Sequence, residues 1–142
     1  MIELQVRFKK LSETAIPFSY TREGDACMDV YADEKKVLYP EETAIVKTGI
    51  ALEIPYGYEG RIRGRSGLAS TGVYVHTGTI DSTYRGDVGV IITNHSDGFF
   101  VIEKGKRIAQ FTIKPVYHIT LLEASQLSQT DRGEKGYGSS GF

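Results

Sequence analysis

Arginine, serine and glycine recur together in three short segments: Gly64-Arg65-Ser66-Gly67, Tyr84-Arg85-Gly86-Asp87, and Arg132-Gly133 followed by Gly136-Tyr137-Gly138-Ser139-Ser140-Gly141. Glycine lets backbone N–H groups come close to anionic oxygens, serine adds a hydroxyl donor, and arginine supplies a planar fork of charged donors. Each segment is therefore suited to phosphate. If Ser66 opens a short helix, the neighbouring amides add the positive end of its dipole. None of the three fits the GxxxxGK[ST] pattern of a P-loop. Singly, each also reads as a solvated turn or a disordered glycine-serine tail, and it is their recurrence in one chain that points to a polyphosphate.

Carboxylates are the second ingredient. Asp81 follows Thr77-Gly78-Thr79-Ile80 at the expected end of a strand in a tight hairpin, and Asp29 stands inside the apolar run Met28–Ala32. A carboxylate at a strand end can orient an attacking water, and a second can hold Mg2+ through the ion's hydration shell beside substrate phosphates. An isolated aspartate is as readily a turn former or ion-pair partner. His76, His95 and His118 show no paired spacing, which argues against zinc. The single cysteine, Cys27, excludes an intrachain disulfide, lacks a catalytic neighbourhood and reads as a small buried hydrophobe. Tyr84 and Tyr137 lie within the phosphate-like segments, where a ring can stack on a sugar or a base.

The elements that must position these residues are mostly strands. Ile2, Leu4, Val6 and Phe8 alternate with polar residues, a period of two that puts them on one face. Further β-rich runs fall at Met28–Ala32, Thr43–Ile54, Tyr58–Arg63, Val73–Ile80, Asp87–Thr93, Phe99–Ile102 and Arg107–Val116, with turn signals between them. Short, closely spaced strands predict an all-β sandwich or jelly roll. The one helical signal is a turn from Ser66 that stops by Gly72, and Arg132–Phe142 reads as a mobile tail.

Composition narrows the function classes. At 142 residues the chain has the length of one domain, since domains run to roughly 100–200 residues. Seventeen basic against eighteen acidic side chains give a net charge of −1, so no general basic field exists to hold a nucleic-acid polymer. The apolar runs are too short to span a bilayer, and Met1–Lys10 does not resemble a signal peptide. The expectation is a soluble, cytoplasmic protein that makes no contact with membranes.

With these stretches in order, the sequence resembles the trimeric deoxyuridine triphosphatases, the dUTPases, over nearly its whole length. The resemblance is carried by five segments in sequence: Ala26-Cys27-Met28-Asp29-Val30-Tyr31-Ala32; Gly64-Arg65-Ser66-Gly67-Leu68-Ala69; Gly78-Thr79-Ile80-Asp81-Ser82-Thr83-Tyr84-Arg85-Gly86-Asp87; Lys104-Gly105-Lys106-Arg107-Ile108-Ala109-Gln110; and Arg132 to Gly141. It implies a jelly-roll or distorted β-barrel homotrimer with active sites shared between subunits, hydrolysing dUTP to dUMP and pyrophosphate with Mg2+. Carried over residue by residue, Asp81 would activate the water that attacks the α-phosphorus. Arg65, Ser66, Gly67 and Gln110 would bind the phosphates, and Asp29 would position the metal's water shell. Backbone groups of His76, Thr77 and Gly78 would read uracil, and Tyr84 under the deoxyribose would reject a 2′-hydroxyl. Arg132 would reach the γ-phosphate from a tail, about residues 129–142, closing over a β core of about 1–128. Tyr137 would stack on the base, and Gly138, Ser139 and Ser140 would complete the lid.

Cys27, Gly64, Lys106 and Lys135 depart from the family's usual glycine, proline, aspartate and glycine, and Thr83 replaces an acidic residue. None of these touches Asp81, Arg65, Ser66, Tyr84 or Arg132. Two competing readings remain: a dCTP deaminase or bifunctional enzyme, against which Asp81 stands where deaminases carry glutamate, and a nucleotide-gated regulatory binding protein.

Overall fold

Residues 3–141 are described by the computed structural model. Within them the chain forms eleven strands: β1 (Arg7–Lys10), β2 (Met28–Tyr31), β3 (Lys36–Leu38), β4 (Thr43–Val46), β5 (Ile50–Glu53), β6 (Tyr58–Arg63), β7 (Val73–Val75), β8 (Gly78–Ile80), β9 (Val90–Asn94), β10 (Phe100–Ile102) and β11 (Arg107–Pro115). A single turn of helix, α1 (Ser66–Ala69), lies between β6 and β7. Every ladder is antiparallel. A sheet ordered β2-β11-β6-β8 and another ordered β4-β9-β7 carry most of the fold, alongside the two-stranded pairs β1-β5 and β10-β3. The expected jelly roll is what the chain adopts. Inward-facing branched residues such as Val30, Val46, Ile62, Val90, Ile92 and Ile108 make a core with essentially no solvent exposure.

The expected run Thr43–Ile54 is two strands in different sheets. The chain breaks at Gly49, whose φ of +69° only glycine adopts without strain. A β-carbon there would lie 2.7 Å from both the Ala15 β-carbon and Asp33 Oδ2. Asp33 is itself fixed, accepting from Thr14 Oγ1 at 2.7 Å and from the Ser12 hydroxyl. Gly49→Ala is therefore expected to cost about 2–4 kcal/mol, from strain and overpacking together. Gly57→Ala, at φ +87° with open space around it, should cost about 1–2 kcal/mol. Urea unfolding at fixed protein concentration compares the two, and equal losses would remove the packing argument.

Val73–Ile80 also divides. β7 pairs with β9 while β8 pairs with β6, so His76 and Thr77 carry the chain from one sheet to another. There is no β7–β8 hairpin. The strand expected from Asp87 begins only at Val90, because the Asp87 carboxylate accepts the Thr48 and Gly49 N–H groups at 3.2 and 2.6 Å. β1 starts at Arg7, later than the alternation predicts, and Ile2 lies outside the described residues. Val6 packs on the core, whereas Leu4 and Phe8 stay exposed in the single chain. From Val116 to Gly141 the described chain has neither helix nor strand and exposes Tyr117, Ile119, Leu121, Leu122 and Leu127 almost fully, so the irregular segment is longer than the composition of Arg132–Phe142 indicates.

Candidate active site

The arginine-serine-glycine segment leaves the end of β6 and enters α1. Arg65 is the N-cap, with extended φ/ψ of −93° and 134°, and Ser66 is the first helical residue. The Ser66 hydroxyl therefore does not cap the helix, and among the described residues it makes no hydrogen bond. Arg65 turns back over the sheet toward Asp29 on β2, with Nε 3.6 Å from Oδ1. Arg107 at the start of β11 donates from Nη1 to Asp29 Oδ2 at 3.3 Å, and Thr21 Oγ1 donates to the same oxygen at 2.6 Å. Arg65 Nη1 also donates to the Arg107 carbonyl oxygen at 3.3 Å.

Asp29 is 6% exposed. Burial opposes its ionisation, but the Thr21 hydroxyl, the Arg107 hydrogen bond and the charges of Arg65 and Arg107 outweigh it and hold the carboxyl below its ordinary value. Gln110 lies level with Asp29 on one side and Arg63 on the other, which places it in the same row of the sheet. Two guanidinium groups around one carboxylate leave a net positive charge, a corner suited to an anion.

Thr21 and Arg107 are absent from the expected site. Arg107 is level with Tyr31 and Ala109 with Val30, so β11 takes two steps where β2 takes one. This bulge resets the alternation and brings Arg107 onto the face that carries Gln110 and Asp29. Reading β11 with a strict period of two puts Arg107 on the opposite face.

Asp81 occupies the other end of the sheet. It directly follows β8, is exposed, and its carboxylate has no hydrogen-bond or ion-pair partner among the described residues. The turn after it is braced by its neighbours: the Tyr84 N–H donates to the Asp81 carbonyl at 3.1 Å, and Arg85 Nη1 donates to the Ser82 and Tyr84 carbonyls at 2.6 and 3.0 Å. Tyr84 donates its hydroxyl to the Asp87 carbonyl at 2.8 Å, and its ring lies so close to Gly86 that a β-carbon there would be 2.5 Å from the Tyr84 oxygen. Asp81, Ser82 and Thr83 share a cavity of about 280 Å³ with Tyr56, Glu59 and His118.

Asp29 is level with Gln110 and Arg63, whereas Ile80 is level with Gly60, so Asp81 follows at the level of Glu59. Four residues along β6 and three strand spacings across the sheet separate the Asp29 corner from Asp81, roughly 20 Å at about 3.4 Å per residue and 4.8 Å per strand. A water on Asp81 and a phosphate chain on Arg65 of the same subunit cannot meet at the roughly 3–3.5 Å that attack requires.

The remaining expected residues divide further. His76 gives its N–H to the Ile91 carbonyl at 2.9 Å and pairs its ring Nε2 with Thr93 Oγ1 at 2.8 Å, so neither group is free for a ligand. Gly78 opens β8, with Thr77 just before it, at the end opposite Asp81. In the tail, Arg132 Nε donates to the Lys135 carbonyl at 2.9 Å, Tyr137 is fully exposed with a φ of +47°, and Gly138, Ser139 and Ser140 lie in turns closed within the tail. Among the described residues no hydrogen bond joins these tail residues to Arg65 or Asp81.

An all-β jelly roll with a two-arginine anion corner, and an unpaired aspartate on a glycine-rich turn, defines a protein that handles phosphorylated small molecules. The dUTPase family model matches residues 13–141. The deoxyuridine 5′-triphosphate nucleotidohydrolase of Picosynechococcus sp. is 45% identical over 97% of this chain and 99% of its own, and that of Syntrophotalea carbinolica is 47% identical over the full length of both. Among solved structures, a Staphylococcus bacteriophage 80alpha dUTPase variant with dUpNHpp superposes with a TM-score of 0.91 at 34% identity, over 97% of this chain and 99% of that one. The chain belongs to the dUTPase family.

Proposed function

We propose that the chain hydrolyses dUTP to dUMP and pyrophosphate at sites shared between subunits of a homotrimer. One observation carries the shared site: the anion corner and Asp81 stand at opposite corners of one sheet. Phosphates held by Arg65, Ser66, Gly67 and Gln110 of one subunit are therefore met by Asp81 of another. The exposed Leu4, Phe8 of β1 and the apolar residues beyond Val116 offer surface for such packing.

Asp81 accepts a proton from water as its oxygen bonds to the α-phosphorus, and the bond from that phosphorus to the α–β bridging oxygen breaks, releasing pyrophosphate. Arg65 and the Gly67 backbone stabilise the charge that moves onto the leaving oxygens. Uracil is read by backbone groups of Thr77 and Gly78, His76 being committed to β9. The Tyr84 ring, fixed over Gly86, closes the space a 2′-hydroxyl needs. A tail of about residues 129–142 closes the site, with Arg132 leaving Lys135 for the γ-phosphate, Tyr137 covering the base, and Gly138, Ser139 and Ser140 beside the phosphates.

Among the described residues no three His, Cys, Asp or Glu side chains come together to hold a metal. The donor set fits a hydrated Mg2+ carried by the triphosphate, and Asp29 Oδ1, whose one partner among the described residues is Arg65, is the acceptor for its water shell. Bound there, the ion screens phosphate charge. The dUTPase of phage phi11 of S. aureus coordinates a structural Mg(II) ion and is 27% identical, with a TM-score of 0.83. No helix among the described residues is long and apolar enough to cross a membrane, and a cytoplasmic location suits the free thiol of Cys27.

The test incubates the chain with dUTP, dCTP, dTTP or UTP, with and without Mg2+, and separates the products. Pyrophosphate from dUTP alone supports the reading. Ammonia from dCTP would replace it with the deaminase.

A further inference from the structure

Arg107 is tied to Arg65 twice. Its side chain shares Asp29 with Arg65, at 3.3 Å on Oδ2 against 3.6 Å on Oδ1, and its carbonyl accepts from Arg65 Nη1 at 3.3 Å. Thr21 occupies Oδ2 beside Arg107, so both strong donors lie on one carboxylate oxygen and the other is turned to Arg65. The β11 bulge is what makes this possible.

We propose that Arg107 is a positioning residue for dUTP hydrolysis, holding the Asp29 carboxylate in the orientation that aims Arg65 at the phosphate chain. The inference rests on the dUTP-hydrolase reading. An arginine loses side-chain freedom when it is ordered, and a framework that orders it beforehand removes that cost from binding. Without Arg107, Asp29 can rotate on its remaining Thr21 bond, and the cost of ordering Arg65 returns to the substrate-binding step. The loss falls on affinity, and it passes through Asp29.

The experiment compares Arg107→Met, Arg107→Lys, Asp29→Asn and the Asp29→Asn/Arg107→Met double variant. It reads steady-state dUTP hydrolysis and the Kd of the non-hydrolysable analogue dUpNHpp. Arg107→Met should weaken the analogue and raise KM about tenfold, with kcat changed less than about threefold, in the range of coupling seen between contacting residues. Arg107→Lys should recover part of the affinity, since an ammonium can still donate to Oδ2. In the Asp29→Asn background the Arg107 substitution should add less than about twofold.

Additive losses in the double variant would mean that Arg107 binds phosphate directly and would overturn the proposal. A wild-type Kd in Arg107→Met, or a loss confined to kcat, would do the same. If Arg107→Met does not fold, Arg107→Lys alone and with Asp29→Asn carries the same comparison. The two readings fail differently: wild-type chain that releases no pyrophosphate from dUTP refutes the hydrolase, whereas active wild type with an unaffected Arg107→Met refutes the positioning role alone.

Discussion

Asp81→Asn is expected to lower pyrophosphate release from dUTP by about 10²–10⁴-fold, the usual worth of a positioned general base, while the Kd for dUpNHpp changes by no more than a fewfold. The asymmetry follows from what Asp81 touches. Its carboxylate is exposed and has no partner among the described residues, so the substitution breaks no hydrogen bond and no ion pair in the free chain. The turn that carries it is held by other groups, the Tyr84 N–H on the Asp81 carbonyl and Arg85 on two further carbonyls, and these survive. Stability should therefore stay within about 0.5 kcal/mol of wild type, as for other surface substitutions. On the proposed mechanism, what is lost is the negative charge that takes the proton from water as the oxygen attacks. Removing a carboxylate near a polyanion also removes repulsion, which offsets any lost contact in binding. Rapid-quench measurement of a single turnover, with calorimetric titration of the analogue, separates the two quantities. Retained turnover would remove Asp81 from the reaction, and a large loss of affinity with unchanged single-turnover chemistry would make it a binding residue.

How much of this was legible in the sequence depended on whether the signal was local. The jelly roll followed from short runs of branched and aromatic residues broken by turn formers, and most strand positions came with it. The divisions within Thr43–Ile54 and Val73–Ile80 did not, because an alternating run looks the same whether it stays in one sheet or crosses to another. Gly49 marked one division, yet its need for positive φ depends on Ala15 and Asp33, which are distant in sequence. β3 is three residues long and follows a charged stretch, too little for a period of two to register.

The candidate residues were picked out by type, through the five family-like segments. Their grouping was not. Asp29 and Arg65 meet across two intervening strand contacts, and Arg107 joins them only because of a bulge that breaks the pattern used to assign faces. His76 looked available as part of a hairpin, and the sheet crossover instead spends its N–H and ring on β9. Phe8 lies on a strand as the alternation predicts while Leu4 precedes it, and alternation does not say whether such apolar residues meet the chain's own core or another copy.

That last ambiguity leads to the second large effect. If each site takes Arg65 from one subunit and Asp81 from another, Arg65→Ala and Asp81→Asn homotrimers should each be nearly inactive, and trimers containing both chains should regain activity. An intact site arises wherever an Asp81→Asn chain supplies Arg65 and an Arg65→Ala chain supplies Asp81. With random assembly at equal amounts that is roughly one site in four over all trimers and roughly one in three in the trimers that contain both chains, so the isolated mixed trimers should reach about a third of wild-type turnover at saturating dUTP. The two chains can be co-expressed with different affinity tags, and doubly tagged trimers isolated so that mixing is established before activity is measured. A chain carrying both substitutions, mixed with either single variant, supplies the control: every shared site then lacks Arg65 or Asp81, and no recovery is expected. Recovery in the first mixture and none in the second can arise only from contributions by different subunits. Doubly tagged trimers that stay inactive would place both residues in one chain's site, which the roughly 20 Å between the corners of the β2-β11-β6-β8 sheet does not allow without rebuilding the sheet.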